Sequence, residues 1–163
     1  MIKRNLNKLD LVFLAGGKGS RISKFTKVKP KPLIQFKNKY FLSYLVNHYS
    51  KYPFEKIFIL AGYKGKKIYH KFNKKKINGI EIECLVEKKT LGTGGALAQL
   101  KSKTSNDVIV MNADSFIDCN LNEFFLRKSK YNTMFLSKNN NYLSNNTLAN
   151  LKINKKSFVD FNG

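Results

Sequence analysis

Apolar residues in this chain come in two rhythms, and the two alternate. Short unbroken runs, Leu11 to Leu14, Ile57 to Ala61 and Val108 to Met111, predict strands buried on both faces. Ile80, Ile82 and Cys84 alternate with Glu81 and Glu83 before Leu85 and Val86, which predicts another strand. Between these, Phe41, Leu42, Leu45, Val46 and Tyr49 recur at helical spacing, and Pro53 sets a limit to that helix. Ile68, Tyr69 and Phe72 line a second helix. Lys74 to Lys76 read as its solvated end, where cations suit the helix dipole. Asn78-Gly79 predicts a turn. Gly92 to Gly95 open a helix that carries Ala96, Leu97 and Leu100. Asn120 with Glu123 has the form of a capping box before a helix over 121–129. Thr133 to Leu136 predicts a fifth strand, and Asn139 to Asn141 a loop. Leu148 to Ile153 and Ser157 to Phe161 predict a terminal hairpin or paired strands. Met1 to Lys8 reads as a polar, partly disordered lead-in, and residues 16–40 as a long loop.

Strands alternating with helices predict the α/β class: three layers, a mainly parallel central sheet, right-handed crossovers, and the 108–111 strand at its centre. In such sheets ligands bind beyond the carboxyl ends of the strands. The loop at 16–21, the stretch from Glu87 to Gly95, and Asp114 all follow such ends. They are therefore expected to meet, although they lie far apart in the chain.

The chain has 163 residues and 42% hydrophobic content, which fits one soluble domain without internal repeats or a dividing linker. No apolar run approaches the roughly 20 residues of a membrane span, and no long apolar stretch follows the lysine-rich start. Cys84 and Cys119 make neither a disulfide framework nor a metal-ligand spacing, and read as free thiols of a cytoplasmic protein. The net charge of +21 invites a nucleic-acid partner. Of the 31 cations, however, only Arg4, Arg21 and Arg127 are arginines. The lysines are spread along the whole chain among many asparagines, and the aromatics sit in the apolar runs. Neither a nucleic acid nor a membrane is expected as a partner. The excess charge still helps attract anionic substrates.

The candidate chemistry begins where the first strand empties into Ala15-Gly16-Gly17-Lys18-Gly19-Ser20-Arg21. Three glycines let the backbone approach a ligand and turn its N–H groups toward one point. That suits a polyphosphate, with Lys18 and Arg21 as nearby cations. A dinucleotide fingerprint from Gly17 would need Gly at position 22, which is Ile22, and a P-loop would need Gly-Lys-Ser/Thr, which is absent. Pro30 and Pro32 bracket Lys31 and hold it extended, ready for a phosphate. Asp114, after an apolar strand, suits Mg²⁺, a cation held by hard oxygens. Glu87 can only accept hydrogen bonds, and guanine offers two adjacent donors where uracil and thymine offer one. Each reading has a plain alternative: a structural glycine turn, a surface proline turn, a capping aspartate, a solvated strand-end glutamate.

Other segments join these. They are Lys29-Pro30-Lys31-Pro32, Phe41-Leu42-Ser43-Tyr44-Leu45, Glu87 with Leu91-Gly92-Thr93-Gly94-Gly95-Ala96, and Asn112-Ala113-Asp114. In that order and spacing the set resembles the sugar-1-phosphate nucleotidyltransferases (NDP-sugar pyrophosphorylases) over about residues 9–160. Among them it is most similar to the D-glycero-α-D-manno-heptose 1-phosphate guanylyltransferases. The resemblance implies a Rossmann-like fold, NTP and sugar 1-phosphate as substrates, pyrophosphate as product, and Mg²⁺ as cofactor. GTP and heptose 1-phosphate come first as substrates, in the supply of surface-polysaccharide precursors. By resemblance Ala15, Gly16, Gly17, Gly19, Arg21, Glu87, Gly92 and Thr93 bind the nucleotide. Arg21, Lys31 and Asp114 are the catalytic set: Arg21 on the β and γ phosphates, Lys31 between α-phosphate and sugar phosphate, Asp114 on the metal. Ala113 stands where many relatives have Gly. The family usually continues into sugar-binding strands and a second metal aspartate, so residues 1–163 are read as one domain lacking its acceptor-side portion. CTP, UTP or dTTP as donor, another phosphorylated acceptor, a catalytically silent nucleotide-binding relative, and a homo-oligomer all stay open.

Overall fold

A computed structural model describes residues 8–126, 151–153 and 159–161, apart from the side chains of Arg21, Ser23, Phe25, Glu123 and the two C-terminal stretches. The chain divides into two compact units, Met1–Lys128 and Ser129–Gly163. In the second, two strands, Leu151–Ile153 and Val159–Phe161, pair antiparallel, in keeping with the expected hairpin. The polar lead-in before Lys8, the strand expected at 133–136 and the loop at 139–141 lie outside the described residues.

The first unit begins with β1 (Leu9–Ala15), which runs into the glycine loop. Residues 16–40, read from sequence as a loop, carry a 3₁₀ turn (Ser20–Ile22), the one-turn helix α1 (Ser23–Thr26) and a second 3₁₀ turn (Lys31–Leu33). A small hairpin follows, β2 (Gln35–Phe36) and β3 (Lys39–Tyr40). Lys37 and Asn38 turn it with φ of 45° and 63°, the left-handed pair that matches strand twist in a two-residue hairpin. Helix α2 (Phe41–Tyr49) buries Leu42, Leu45, Val46 and Tyr49, four of the five positions its periodicity marked, and Phe41 is partly buried against the same core. Then come β4 (Lys56–Ala61), α3 (Gly65–Phe72), β5 (Lys76–Ile77), β6 (Ile80–Val86), α4 (Gly92–Ala98), β7 (Asp107–Asn112) and α5 (Asn122–Leu126).

The five-stranded sheet has the order β5-β6-β4-β1-β7. β1 pairs in parallel with both β4 and β7, so Leu11 lies between Ile57 and Ile109. β4 pairs in parallel with β6. One face buries Leu11, Phe13, Ile57, Ile59, Ile82, Ile109 and Met111 against α2, α3 and the residues around α5. The other buries Val12, Phe58 and Leu60 against Ala96 and Leu100. Helices on both faces of a mainly parallel sheet make the three layers expected.

One local expectation is corrected. Lys74 to Lys76 do not continue the helix: α3 ends at Phe72, and Asn73 turns its side chain to accept the Cys84 N–H at 2.9 Å. Lys76 and Ile77 instead pair antiparallel with Glu81 and Ile80. The Asn78-Gly79 turn has φ of 49° and 84°, a two-residue geometry that draws its flanking residues into a ladder. β7, the strand expected at the centre, pairs with β1 among the described residues, and the strand expected at 133–136 lies outside them. At α5, Asn120 Oδ1 accepts the Asn122 N–H at 3.0 Å, a local cap one residue short of the 123 N–H that the expected capping box would use.

Candidate active site

The loop after β1 is shaped by its glycines. Gly19 has φ of +64°, and a Cβ there would stand 2.9 Å from Thr26 Cγ2. Around Gly17 there is open space on the side where a Cβ would project. Its neighbour Gly16 is braced from behind: Tyr63 N–H donates to the Gly16 carbonyl at 3.1 Å. A Cβ on Gly62 would lie 2.8 Å from Gly16 Cα and 3.0 Å from Glu87 Oε2. The turn after β4 therefore meets the glycine loop backbone to backbone, with the Glu87 carboxylate over the junction. Glu87 itself is fixed at the end of β6 by its N–H, which donates to the Ala61 carbonyl at 2.9 Å.

Ala15, Gly17, Gly19 and Ser20 open onto a cleft of about 610 Å³, shared with Lys31, Pro32, Asn112, Asp114 and Ser115. Lys31, expected to be held extended, instead begins a 3₁₀ turn directly after the extended Pro30, and Pro32 and Leu33 are buried, so the lysine's backbone is anchored. Asp114 is brought in from the other side. Ala113 N–H donates to the Leu14 carbonyl at 3.0 Å, which extends the β1–β7 ladder one step and delivers Asp114 to the rim. Across the cleft Lys31 Nζ lies 2.8 Å from Asp114 Oδ2, with each side chain about two-fifths exposed, 40% and 38%. The lysine's hydrogen bond holds the Asp114 carboxyl below the usual carboxylate range, against a smaller upward push from burial. Ser115 Oγ donates to Asp114 Oδ1 at 3.1 Å.

The structure thus gathers Ala15, Gly17, Gly19, Lys31 and Asp114 at one cleft, and sets Gly16 beside Glu87. The Arg21 backbone lies in the 3₁₀ turn at the mouth of the glycine loop. Gly92, with φ of +69°, and Thr93 begin α4, both exposed, and do not line the cleft. Sequence reasoning assigned no role to Ser20, Ser115 or Gly62. Gly62 carried a visible signal, a glycine at a strand's carboxyl end. The two serines carried none, because only the fold brings them to the rim. It also treated Lys31 and Asp114 separately, whereas here each is the other's partner.

No group of three or more His, Cys, Asp or Glu side chains suited to a metal occurs among the described residues. Asp114, with Asn112 lining the same cleft, offers a sparse set of oxygens. Mg²⁺ is commonly held by one or two carboxylates plus substrate phosphates, so this donor set fits that ion.

The Nucleotidyl transferase family matches residues 11–141, most of the chain. The chain belongs to the nucleotidyl transferase family. Family members of several kinds are similar to it. A D-glycero-alpha-D-manno-heptose 1-phosphate guanylyltransferase of Campylobacter jejuni is 32% identical over 122 residues, 75% of this chain and 55% of that protein. A bifunctional protein GlmU of Methanococcus maripaludis is 32% identical over 132 residues, 80% of this chain and 30% of that protein. Among solved structures, HddC from Yersinia pseudotuberculosis complexed with GMP-PN superposes with a TM-score of 0.62 at 28% identity, over 71% of this chain and 52% of that one. The chain spans about half the length of its guanylyltransferase relative. Structural neighbours in this family support the Rossmann-like, mainly parallel fold read from the sequence. No helix among the described residues is long and apolar enough to cross a membrane.

Proposed function

We propose that this chain carries the nucleotide side of a sugar-1-phosphate nucleotidyltransferase, with GTP as donor and heptose 1-phosphate as the first acceptor to test. The observation that carries the reading is the Lys31–Asp114 pair, 2.8 Å apart across the cleft that the glycine loop lines. A phosphate-binding backbone, one mobile cation and one carboxylate are what transfer between phosphates requires. The sugar phosphate oxygen is already anionic, so no general base is needed. It attacks the α-phosphorus in line, and the bond to the pyrophosphate oxygen breaks.

In this reading Gly16, Gly17 and Gly19 turn N–H groups toward the triphosphate, and Arg21 takes the β and γ phosphates. Lys31 and Asp114 neutralise each other when no substrate is present. Because both are partly exposed, opening that pair is inexpensive. Lys31 then swings its ammonium to the α-phosphate and the incoming sugar phosphate, and Asp114, freed of the lysine, would hold Mg²⁺. When bound, that ion offsets phosphate charge and orients the oxygens. Glu87 accepts from guanine N1–H and the exocyclic amine. The names of two guanylyltransferase relatives favour this base, and Gly92 and Thr93 complete the nucleotide side.

The test is pyrophosphate release from each of GTP, CTP, UTP and dTTP on adding sugar 1-phosphates. Release from GTP with heptose 1-phosphate, and a narrower preference for GTP in Glu87→Gln, is the expected result. Release from another nucleotide would overturn the base assignment. GTP binding without release under any acceptor would leave a nucleotide-binding relative in place of an enzyme.

A further inference from the structure

The segment between Asp114 and α5 has no strand or helix of its own, yet it carries the carboxylate on which the proposed chemistry depends. Among the described residues, the hydrogen bonds that tie 115–120 to distant parts of the chain come from two tyrosines. Tyr49, at the last turn of α2, is wholly buried. Its hydroxyl donates to the Ile117 carbonyl at 2.8 Å and accepts the Ile117 N–H at 3.1 Å. One phenol thus satisfies both backbone groups of one residue, as a neighbouring strand would. Three residues on, the Tyr52 hydroxyl donates to the Cys119 carbonyl at 3.1 Å. Phe116 lies edge-on to His48, with ring centroids 4.7 Å apart, and adds an apolar contact to the same helix end. The β1–β7 ladder fixes the chain on the other side of Asp114, through the Ala113 N–H and Leu14 carbonyl.

We infer that Tyr49 and Tyr52 are positioning residues that clamp the 114–119 segment so that the Asp114 carboxylate is presented to the metal in a fixed orientation. The inference rests on the reading of Asp114 as the metal carboxylate and deepens it. A carboxylate on an untethered loop would have to be ordered each time the ion binds. Here the ordering is built in, and it comes from the end of α2 and the turn after it, which do not line the cleft. The Tyr49 ring also packs on Phe13 of β1, so the clamp is referenced to the strand that leads into the glycine loop. Both ends of the site therefore share one rigid support.

The measurement is Mn²⁺ affinity by electron paramagnetic resonance, on the full chain with saturating GTP, for the wild type, Tyr49→Phe, Tyr52→Phe and Asp114→Asn. Each Phe variant keeps its ring and loses only the hydroxyl. Asp114→Asn is expected to lose most of its ion affinity. Tyr49→Phe is expected to weaken it by about tenfold, the lower range for residues that orient a ligand, and Tyr52→Phe in the same direction by less. GTP affinity without metal should stay at the wild-type value in both. A merely structural role would lower the melting temperature and leave the ion affinity of the folded protein untouched. Wild-type Mn²⁺ affinity in both tyrosine variants, beside a loss in Asp114→Asn, would overturn the clamp while sparing the metal assignment. Wild-type affinity in Asp114→Asn would overturn the metal assignment and the clamp with it. Should Tyr49→Phe fail to fold, Tyr52→Phe, whose hydroxyl bonds the Cys119 carbonyl, decides alone.

Discussion

Lys31 and Asp114 are 83 positions apart in sequence and in contact in the fold. Their types were legible from the start, a lysine between prolines and an aspartate after an apolar strand. Their pairing was not, because neither local propensity nor spacing encodes which loop ends face each other. The pair makes a titration prediction. Lys31 holds the Asp114 carboxyl below its ordinary value. A carboxyl whose folded value is depressed stabilises the protein above its unfolded value, about 3.9. That contribution is lost as pH falls through the lower folded value. Since both side chains are about two-fifths exposed, 40% and 38%, solvent screening keeps it to under about 1 kcal/mol. Carbon-13 detected titration should place the Asp114 midpoint below the ordinary aspartate value, and Lys31→Met should move it up toward that value. An unshifted midpoint in the wild type would show that the pair does not persist in solution.

At the scale of elements, periodicity located α2, α3 and the parallel strands because burial imposes it. It failed at Lys74 to Lys76, where the Asn78-Gly79 turn recruits Lys76 and Ile77 into an edge strand, a tertiary outcome that the lysines themselves do not favour. It also gave no sign that the β4–α3 turn would press on the glycine loop. Gly62 is where they meet. In Gly62→Ala the new methyl would stand 2.8 Å from Gly16 Cα and 2.9 Å from the Gly16 carbonyl oxygen, and backbone neighbours give way poorly. Overpacking of this kind costs about 1–3 kcal/mol, so the denaturant midpoint should fall. GTP affinity should fall too, because the strain is relieved by moving Gly16. An unchanged midpoint with unchanged affinity would mean that the two loops do not touch as described.

For the whole molecule, fold class followed from strand–helix alternation, and the meeting of the glycine loop with Asp114 followed from the carboxyl-end rule for parallel sheets, whereas Gly92 and Thr93, expected at the same place, do not line the cleft. The opposite end of β1 shows the contrast between support and chemistry. Asp10 is 1% exposed and accepts from the Thr104 hydroxyl at 2.5 Å and the Asn106 amide at 3.3 Å. It is a carboxylate sealed by neutral donors and closed to a ligand, whereas Asp114 is paired with a cation that can leave. The central claim is that this cation moves to phosphate during transfer. Single-turnover pyrophosphate release with GTP and the acceptor, in wild type and Lys31→Met, tests it most directly. The account predicts a rate loss of about a hundredfold or more, the scale for removing one charge-stabilising donor, with GTP affinity changed only a few-fold. A Lys31→Met variant that turns over at the wild-type rate would contradict it.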